Sequence, residues 1–422
     1  MLRIRTECKK LSKFGIRLIF FYRDLMPEIL FFLPFFLLFH SYVLYPVLVW
    51  AFATSTRNRK SKSASDINDL HRQHPLQPDE DRPLISVLIA AYNEEKVIAR
   101  TLACLLNSKI TAGTFEIIVG SDNSKDKTGD IVTAISAEHP NVKFFHSGKR
   151  RGKTGILNWI YQEAKGDILV FCDSNMMFDE NALQRLAENF YDRRVGGVSG
   201  EIHLQESVSG NQEGSYWSFE SWLKAQEGIL GKLIGANGGI YAIRRELYFE
   251  YPEGLPLNDD FVTCMKVLAK GHKFNYDKSA FALEEPSPSN EDEFKRKKRI
   301  QISNLGSLRF LSEFWFPFGN VAAFFLWSHK ILRWMTPFLL IIMFAGVVLS
   351  SVFWNFYSII LVAILSSLVM AFLGFVLGRL GIKSSPFLLF YYFYGTITAF
   401  LFGTFAYFTM QKTSTWEPTR RS

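Results

Sequence analysis

The sequence predicts an α/β domain built on a doubly wound, mostly parallel sheet and joined to an α-helical transmembrane region. Three observations carry that reading. Short β-rich apolar runs alternate with helically spaced runs across residues 84–308. Acidic and amide residues directly follow three of the expected strands. Stretches almost free of charge, long enough to cross a hydrocarbon core of about 30 Å, flank the domain on both sides.

In chain order, residues 1–27 are a basic N-terminal segment holding Arg3, Arg5, Lys9, Lys10, Lys13, Arg17 and Arg23. Residues 28–54 form the first transmembrane helix. Its Ile29–Ala53 core has no formal charge, is too long for a signal peptide, and no small-residue cleavage site follows it. Residues 55–83, polar and proline-containing, read as a linker. Within 84–308, strands are expected over Ile85–Ala91, Phe115–Gly120, Val142–His146 and Asp167–Asp173. Helices are expected over Glu94–Asn107, Asp126–Glu138 and Thr154–Ala164. Continuous apolar strands alternating with amphipathic helices indicate parallel strands covered on both faces, with ligands bound beyond their carboxyl ends.

Residues 309–328 are aromatic-rich, broken by Pro317 and Gly319, and carry Glu313, so they read as lying in the membrane interface. Residues 330–410 hold three transmembrane helices, Ile331–Trp354, Tyr357–Leu377 and Pro386–Met410, and residues 411–422 are a tail. Arg379 and Lys383 lie between the last two spans. That places their loop in the cytosol and, counting back, the α/β domain as well. The seven N-terminal cations point the other way for the N-terminus.

The formal net charge is +8. Its cations gather at the ends of apolar runs, as Arg57, Arg59, Lys60 and Lys62 do after the first. A membrane surface accounts for them, and no nucleic-acid partner is expected. Cys8, Cys104, Cys172 and Cys264 are far apart, with no CxxC pair. No disulfide framework or zinc site is expected, which fits a reducing compartment.

The chemistry-bearing residues sit at the strand ends. Tyr92-Asn93-Glu94-Glu95, Ser121-Asp122-Asn123-Ser124 and Asp173-Ser174-Asn175 each follow a strand. Helix capping explains any one of these, but not carboxylates at all three. Carboxylates beside a diphosphate require a divalent cation between them, and Mg²⁺ or Mn²⁺ takes one or two carboxylates plus phosphate oxygens. The Asp173–Asn175 spacing puts both side chains on one face, which suits that role. Gly148–Lys153 is a basic, glycine-containing turn opening a helix, an anion site or a solvated charge run. Gly235-Ala236-Asn237-Gly238-Gly239 is a plain turn or a place of close backbone approach. Asp259 and Asp260 open a helix, and Asp260 is the natural base for an acceptor hydroxyl. Arg296 and Arg299, three apart on a helical face, face lipid or neutralise a leaving diphosphate.

The ordered set AAYNEE, VGSDNSKDKT, KRRGKTGILNW, FCDSN, GANGGIYAIRREL, NDDF and FKRKKRIQ resembles the family 2 glycosyltransferases, over about residues 84–310. That group includes chitin-oligosaccharide, poly-N-acetylglucosamine, hyaluronan and cellulose synthases. The resemblance implies a Rossmann-like GT-A domain in a bacterial inner-membrane enzyme. Such an enzyme transfers a sugar with inversion from a nucleotide-sugar, UDP-linked, to a growing polysaccharide or cell-envelope glycan. By position, Tyr92 and Glu94 would line the nucleoside pocket and Asp122 would contact the base. Lys153 would approach the phosphate, Asp173 with Asn175 would hold Mg²⁺ or Mn²⁺, Asp260 beside Asp259 would be the base, and Arg299 would contact the diphosphate. The implied partners are the nucleotide-sugar donor, a glycan or lipid-linked acceptor, membrane lipid, and accessory export or polymerisation proteins.

The sequence departs from the family pattern at several points. Ser121 replaces the first Asp of a DD pair, Asn175 the second Asp of DxD, and Asn258-Asp259 the Thr-Glu of TED. Arg296 and Ile300 stand where Gln and Trp of QxxRW are expected. Two alternatives stay open: a single-addition transferase acting on a lipid acceptor, and a catalytically degenerate membrane scaffold.

Overall fold

The structure, a computed structural model, describes residues 26–58, 83–111, 113–204, 212–285, 290–382 and 386–409. The expected basic segment up to residue 25, linker residues 59–82, Lys383 and the tail 411–422 lie outside the described residues. The chain divides into two compact units, Pro46–Trp327 with Phe402–Ser422, and Met1–Tyr45 with Ser328–Leu401.

The first of these units is the α/β domain. Its strands are β1 (Leu84–Ala91), β2 (Thr114–Ser121), β3 (Val142–His146), β4 (Ile168–Cys172), β5 (Met177–Phe178), β6 (Val195–Leu204), β7 (Ile240–Arg244) and β8 (Lys273–Glu284). They form one sheet in the order β3-β2-β1-β4-β7-β6-β8-β5. β1 pairs in parallel with β2 and β4, in registers that set Ala91 beside Ser121 and Ile85 beside Ile168. Three strand ends thus converge where the chain order reverses, the place where such sheets bind ligands.

The mostly parallel expectation holds for β3-β2-β1-β4 and for the β6-β8 pair. β7 runs antiparallel to both β4 and β6, and β5 antiparallel to β8, so the sheet is mixed. After β6 the chain passes through the helix Gln212–Ile229 and re-enters the sheet from the end it had just left. Hydropathy reports that a strand is buried, not which way it runs. The antiparallel pairing has a consequence for the site, because Cys172 faces Ile240 and the glycine-rich turn before β7 therefore lies beside Asp173.

The sheet packs on amphipathic helices. The helix Ile98–Leu106 buries Ile98, Thr101, Leu102 and Leu105, an i, i+3, i+4, i+7 stripe, against Val87, Ile89, Val119 and Val170. Full burial of each such side chain contributes about 1.5–3 kcal/mol. This helix begins at Ile98 rather than at Glu94. Asn93 adopts a left-handed conformation (φ 51°), and Val97 and Ile98 then bond back to the Glu94 carbonyl in a turn. The next two helices run Thr128–Glu138 and Gly152–Tyr161.

In the other unit, Phe31, Val347 and Tyr357 form an apolar core. Gly346 lets helices meet closely, since a Cβ there would lie 2.7 Å from the Phe31 nitrogen. Two π-helical segments, His40–Leu44 and Trp327–Ile331, free backbone groups for polar contacts. The Ser41 hydroxyl donates to the Ser328 carbonyl (2.6 Å), and His40 Nε2 lies 2.8 Å from Ser328 Oγ.

Among the described residues, Met26–Asn58, Asn355–Arg379 and Pro386–Thr409 are long and apolar enough to cross a membrane. Thr336–Ser351 is bent by 65° from the preceding helix Val321–Trp334, and the pair forms a candidate fourth span. Residues 309–328 hold a 3₁₀ turn, Ser312–Phe314, and the start of the helix Val321–Trp334, capped by Asn320 Oδ1 accepting from the Ala323 nitrogen (2.8 Å). Between them Trp315, Phe316 and Phe318 stand exposed.

Candidate active site

The loops after β1 and β2 brace each other. The Asn93 nitrogen donates to Ser124 Oγ (3.1 Å), the Glu94 nitrogen to Thr128 Oγ1 (2.8 Å), and the Lys125 nitrogen to Asn93 Oδ1 (2.8 Å). Asn93 and Asn123 are both left-handed (φ 51° and 59°), a conformation that asparagine tolerates better than most residues. Glu94 and Asp122 are buried here. Asp122 holds the basic turn: it accepts from Arg150 Nε (2.9 Å) and from the backbone nitrogens of Arg151 and Gly152. The Arg150 guanidinium in turn covers the Tyr92 ring at 3.3 Å from its centroid. Gly152, at φ 74°, makes the sharp entry into the helix Gly152–Tyr161.

That helix carries Lys153 to the end of β4. Its ammonium sits 2.8 Å from Asp173 Oδ1 and 3.1 Å from Asp259 Oδ1. Burial works against the charge, but Asp173, Asp259 and Asp260 outweigh it and hold the lysine well above its usual pKa. One side chain therefore ties the strand-end carboxylate to the start of the helix Asp259–Ala269. The Tyr241 hydroxyl on β7 also donates to Asp259 Oδ2 (3.2 Å). The Asp260 carboxyl is pushed up to about 6, first by burial and then by its neighbour Asp259, against the opposing pull of Lys153 and Lys224. A base that titrates near neutrality is what general base catalysis at physiological pH requires. The glycine-rich turn lies against it, since a Cβ on Gly238 would come within 3.3 Å of Asp260 Oδ2.

The helix Asn290–Leu308 brings Arg299 to the same end of the sheet, within the field of Asp173. Burial and Arg296 lower the Arg299 pKa, and Asp173 opposes them. Arg296 itself turns to Glu293 (3.6 Å), and Asn175 Nδ2 points to Glu284 Oε1 (3.5 Å). The helix is fixed from both sides. Asn258 Nδ2 donates to Asn304 Oδ1 (2.6 Å), and Gln301 Nε2 donates to Thr404 Oγ1 (3.2 Å). Lys153, Asp173, Asp259 and Asp260 thus form one cluster, with Arg299 within electrostatic range of Asp173. Tyr92 and Asp122 are joined through Arg150, and Glu94 lies in the braced loop.

Residues 86–251 match the family model described as glycosyl transferase family 2. These residues form a family 2 glycosyltransferase domain. The chain is 27% identical over 174 residues to a beta-monoglucosyldiacylglycerol synthase of Trichormus variabilis, covering 39% of this chain and 36% of that protein. It is 26% identical over 199 residues to the poly-beta-1,6-N-acetyl-D-glucosamine synthase of Staphylococcus aureus, covering 46% and 48%. The matched part thus spans about a third to a half of the length of these relatives. Among solved structures it resembles the mannosyltransferase PcManGT from Pyrobaculum calidifontis, with a TM-score of 0.60 at 17% identity, over 86% of this chain and 99% of that one. That likeness shows the fold, a GT-A domain.

Several site residues of the family 2 domain were not singled out by sequence reasoning. Arg150 was one cation in a run of them, and nothing in the run marked it as the partner of Tyr92 and Asp122. Lys224, on the helix Gln212–Ile229, stood alone in SWLKAQEG without a motif. Its ammonium donates to Asn237 Oδ1 (2.7 Å). Asn237 sat unmarked within a glycine-rich turn. Among the described residues no cluster of three or more His, Cys, Asp or Glu side chains forms a metal cage.

Proposed function

We propose that the chain transfers a sugar, with inversion, from a UDP-sugar to a growing polysaccharide or cell-envelope glycan, working from the cytosolic side of a bacterial inner membrane. The observation that carries this reading is Lys153 bridging Asp173 and Asp259, which joins the donor side of the pocket to the base side. The acceptor hydroxyl attacks the anomeric carbon from the face opposite the nucleoside diphosphate and gives its proton to Asp260. Lys153 and Arg299 are the cations that meet the charge growing on the leaving diphosphate. Tyr92, Glu94 and Asp122 line the nucleoside end. The chain is anchored by its apolar helices, with accessory export or polymerisation proteins as further partners.

Asp173, about a third exposed, and the Asn175 amide form a two-donor edge rather than a cage, which fits a hard cation shared with phosphate oxygens. When bound there, Mg²⁺ or Mn²⁺ would supply charge neutralisation to the diphosphate. The Pyrobaculum structure, described as a complex with GDP-Man and Mn²⁺, supports a donor–cation pair of this kind.

The test is nucleotide release by the detergent-purified full chain with a panel of UDP- and GDP-sugars, in Mg²⁺, Mn²⁺ or EDTA. We expect release from one UDP-sugar, abolished by EDTA, and reduced about 10²–10⁴-fold in Asp260→Asn with nucleotide binding retained. Equal release from wild type and Asp260→Asn would overturn the assignment of the base, and no release from any donor would overturn the reading as an enzyme. A second reading, one sugar added to a lipid acceptor, is favoured by the exposed Trp315, Phe316 and Phe318 close behind the helix that carries Arg299. Product size separates the two.

A further inference from the structure

The glycine-rich turn holds more than a close approach. Asn237 is buried, and its bonds fix it in one orientation. Its backbone nitrogen donates to Ser199 Oγ (2.9 Å) and its Nδ2 donates to the Gly200 carbonyl (2.7 Å). With Nδ2 committed to Gly200, Oδ1 must face the other way, and there it accepts from Lys224 Nζ (2.7 Å). The Ala236 carbonyl lies 3.5 Å from the same ammonium. The next residue, Gly238, abuts the Asp260 carboxylate. A lysine on one helix is thus pinned by a pinned amide on the flank of the turn that touches Asp260.

The groups that face Asp260 are Asp259 and Cys264 from its own helix, Lys153 from the helix Gly152–Tyr161, Tyr241 from β7, and Lys224 from the helix Gln212–Ile229. Burial and Asp259 disfavour a charged Asp260, while the neutral Tyr241 and Cys264 add no opposing charge. Lys153 opposes them, but it is shared between Asp173 and Asp259. We propose that Lys224 is a positioning residue for the transfer reaction, its ammonium fixed by Asn237 so as to hold Asp260 in the ionised, proton-accepting form. The assignment rests on the reading of Asp260 as base.

The sign follows from the charge. Activity rises with pH as Asp260 loses its proton. Removing a nearby cation makes that loss harder, so the acidic limb of the profile moves to higher pH. The experiment is the pH dependence of nucleotide release by the full chain for wild type, Lys224→Met, Lys224→Arg and Asp260→Asn. Lys224→Met is expected to move the acidic midpoint up by about half a pH unit to one unit. Lys224→Arg is expected to restore it, and Asp260→Asn to abolish the limb. A Lys224→Met profile that only scales the wild-type curve, with the midpoint unmoved, overturns the proposal, as does an equal shift in Lys224→Arg. If Lys224→Met loses its thermal transition, Lys224→Gln removes the charge more gently and reads the same midpoint. Wild type that releases no nucleotide at any pH would instead overturn the function reading, and this assignment with it.

Discussion

Asp260 is held in a setting that disfavours its own charge. The folded state raises its pKa to about 6, so above that pH folding must carry a carboxylate that the unfolded chain ionises freely. The cost is present in full above the folded value and vanishes as pH falls below the unfolded one, near 4. Asp260→Asn should therefore raise stability at pH 7.5 by about 1–2 kcal/mol after allowance for partial exposure and coupling to Asp259, seen as a higher thermal midpoint. The gain should shrink towards pH 4.5, which differential scanning fluorimetry at the two pH values checks. Lys153→Met should act in the opposite sense. It strands Asp173 and Asp259 together and should cost about 1–3 kcal/mol, because the pair is partly exposed rather than sealed. The carboxylates of this pocket were legible in the sequence, since Asp173, Asp259 and Asp260 stand at strand and helix ends where polar groups are conspicuous. Arg150, Lys224 and Asn237 were not, because their meaning lies in partners 28, 13 and 38 residues away.

At the scale of elements, the ends of β1, β2 and β3 opposite the site are tied by one buried carboxylate. Glu116 accepts from Ser86 Oγ (2.7 Å) and the Lys165 nitrogen (2.7 Å), and pairs with Lys143 Nζ (2.6 Å). Burial alone would raise its pKa, but these three partners outweigh it and the net shift is downward. A depressed folded value means stability that is complete above the unfolded pKa and is lost as pH falls below about 4.5. Glu116→Gln should lower stability at pH 7 by about 1–2 kcal/mol, seen as a lower thermal midpoint, and the difference from wild type should narrow on acidification. An equal difference at pH 4 and pH 7 would contradict this. β1 to β4 were readable to within a residue or two, because each is a short apolar run broken at most by a single charge, as at Glu116 and Lys143, whereas β5 to β8 were not singled out as strands. Helix starts were less so: the left-handed Asn93 delays the first one, and no periodicity announces that. The direction of β7 was also hidden, since a buried strand looks the same in either sense.

For the molecule as a whole, the apolar helices predict behaviour in membranes. The chain should sediment with membranes after alkaline carbonate extraction. Phe353 and Ile382 border the two ends of the helix Asn355–Arg379, so single cysteines placed there in a cysteine-free background should lie on opposite sides of the bilayer. Labelling of intact cells with a membrane-impermeant maleimide should modify one and spare the other. Labelling of both would mean that this helix does not cross. Hydropathy found these helices without difficulty. It drew the first of the C-terminal spans as one piece, however, whereas the chain bends by 65° between Val321–Trp334 and Thr336–Ser351, with Arg333 just before the bend and Pro337 just after it.

The charged cluster also bears on the rhythm of turnover. Counting three cations, Lys153, Lys224 and Arg299, against three carboxylates, Asp173, Asp259 and Asp260, the cluster is neutral when Asp260 is ionised and carries +1 when it is protonated. On the proposed mechanism each transfer ends with the acceptor's proton on Asp260, so every cycle leaves the cluster one charge more positive and the base spent. The next acceptor cannot be activated until that proton reaches solvent. With an Asp260 pKa of about 6, that release is favourable at neutral pH but weakly driven. A base of this kind should show a solvent deuterium isotope effect already in the first turnover, where the acceptor's proton moves to Asp260, and that effect should be lost in Asp260→Asn.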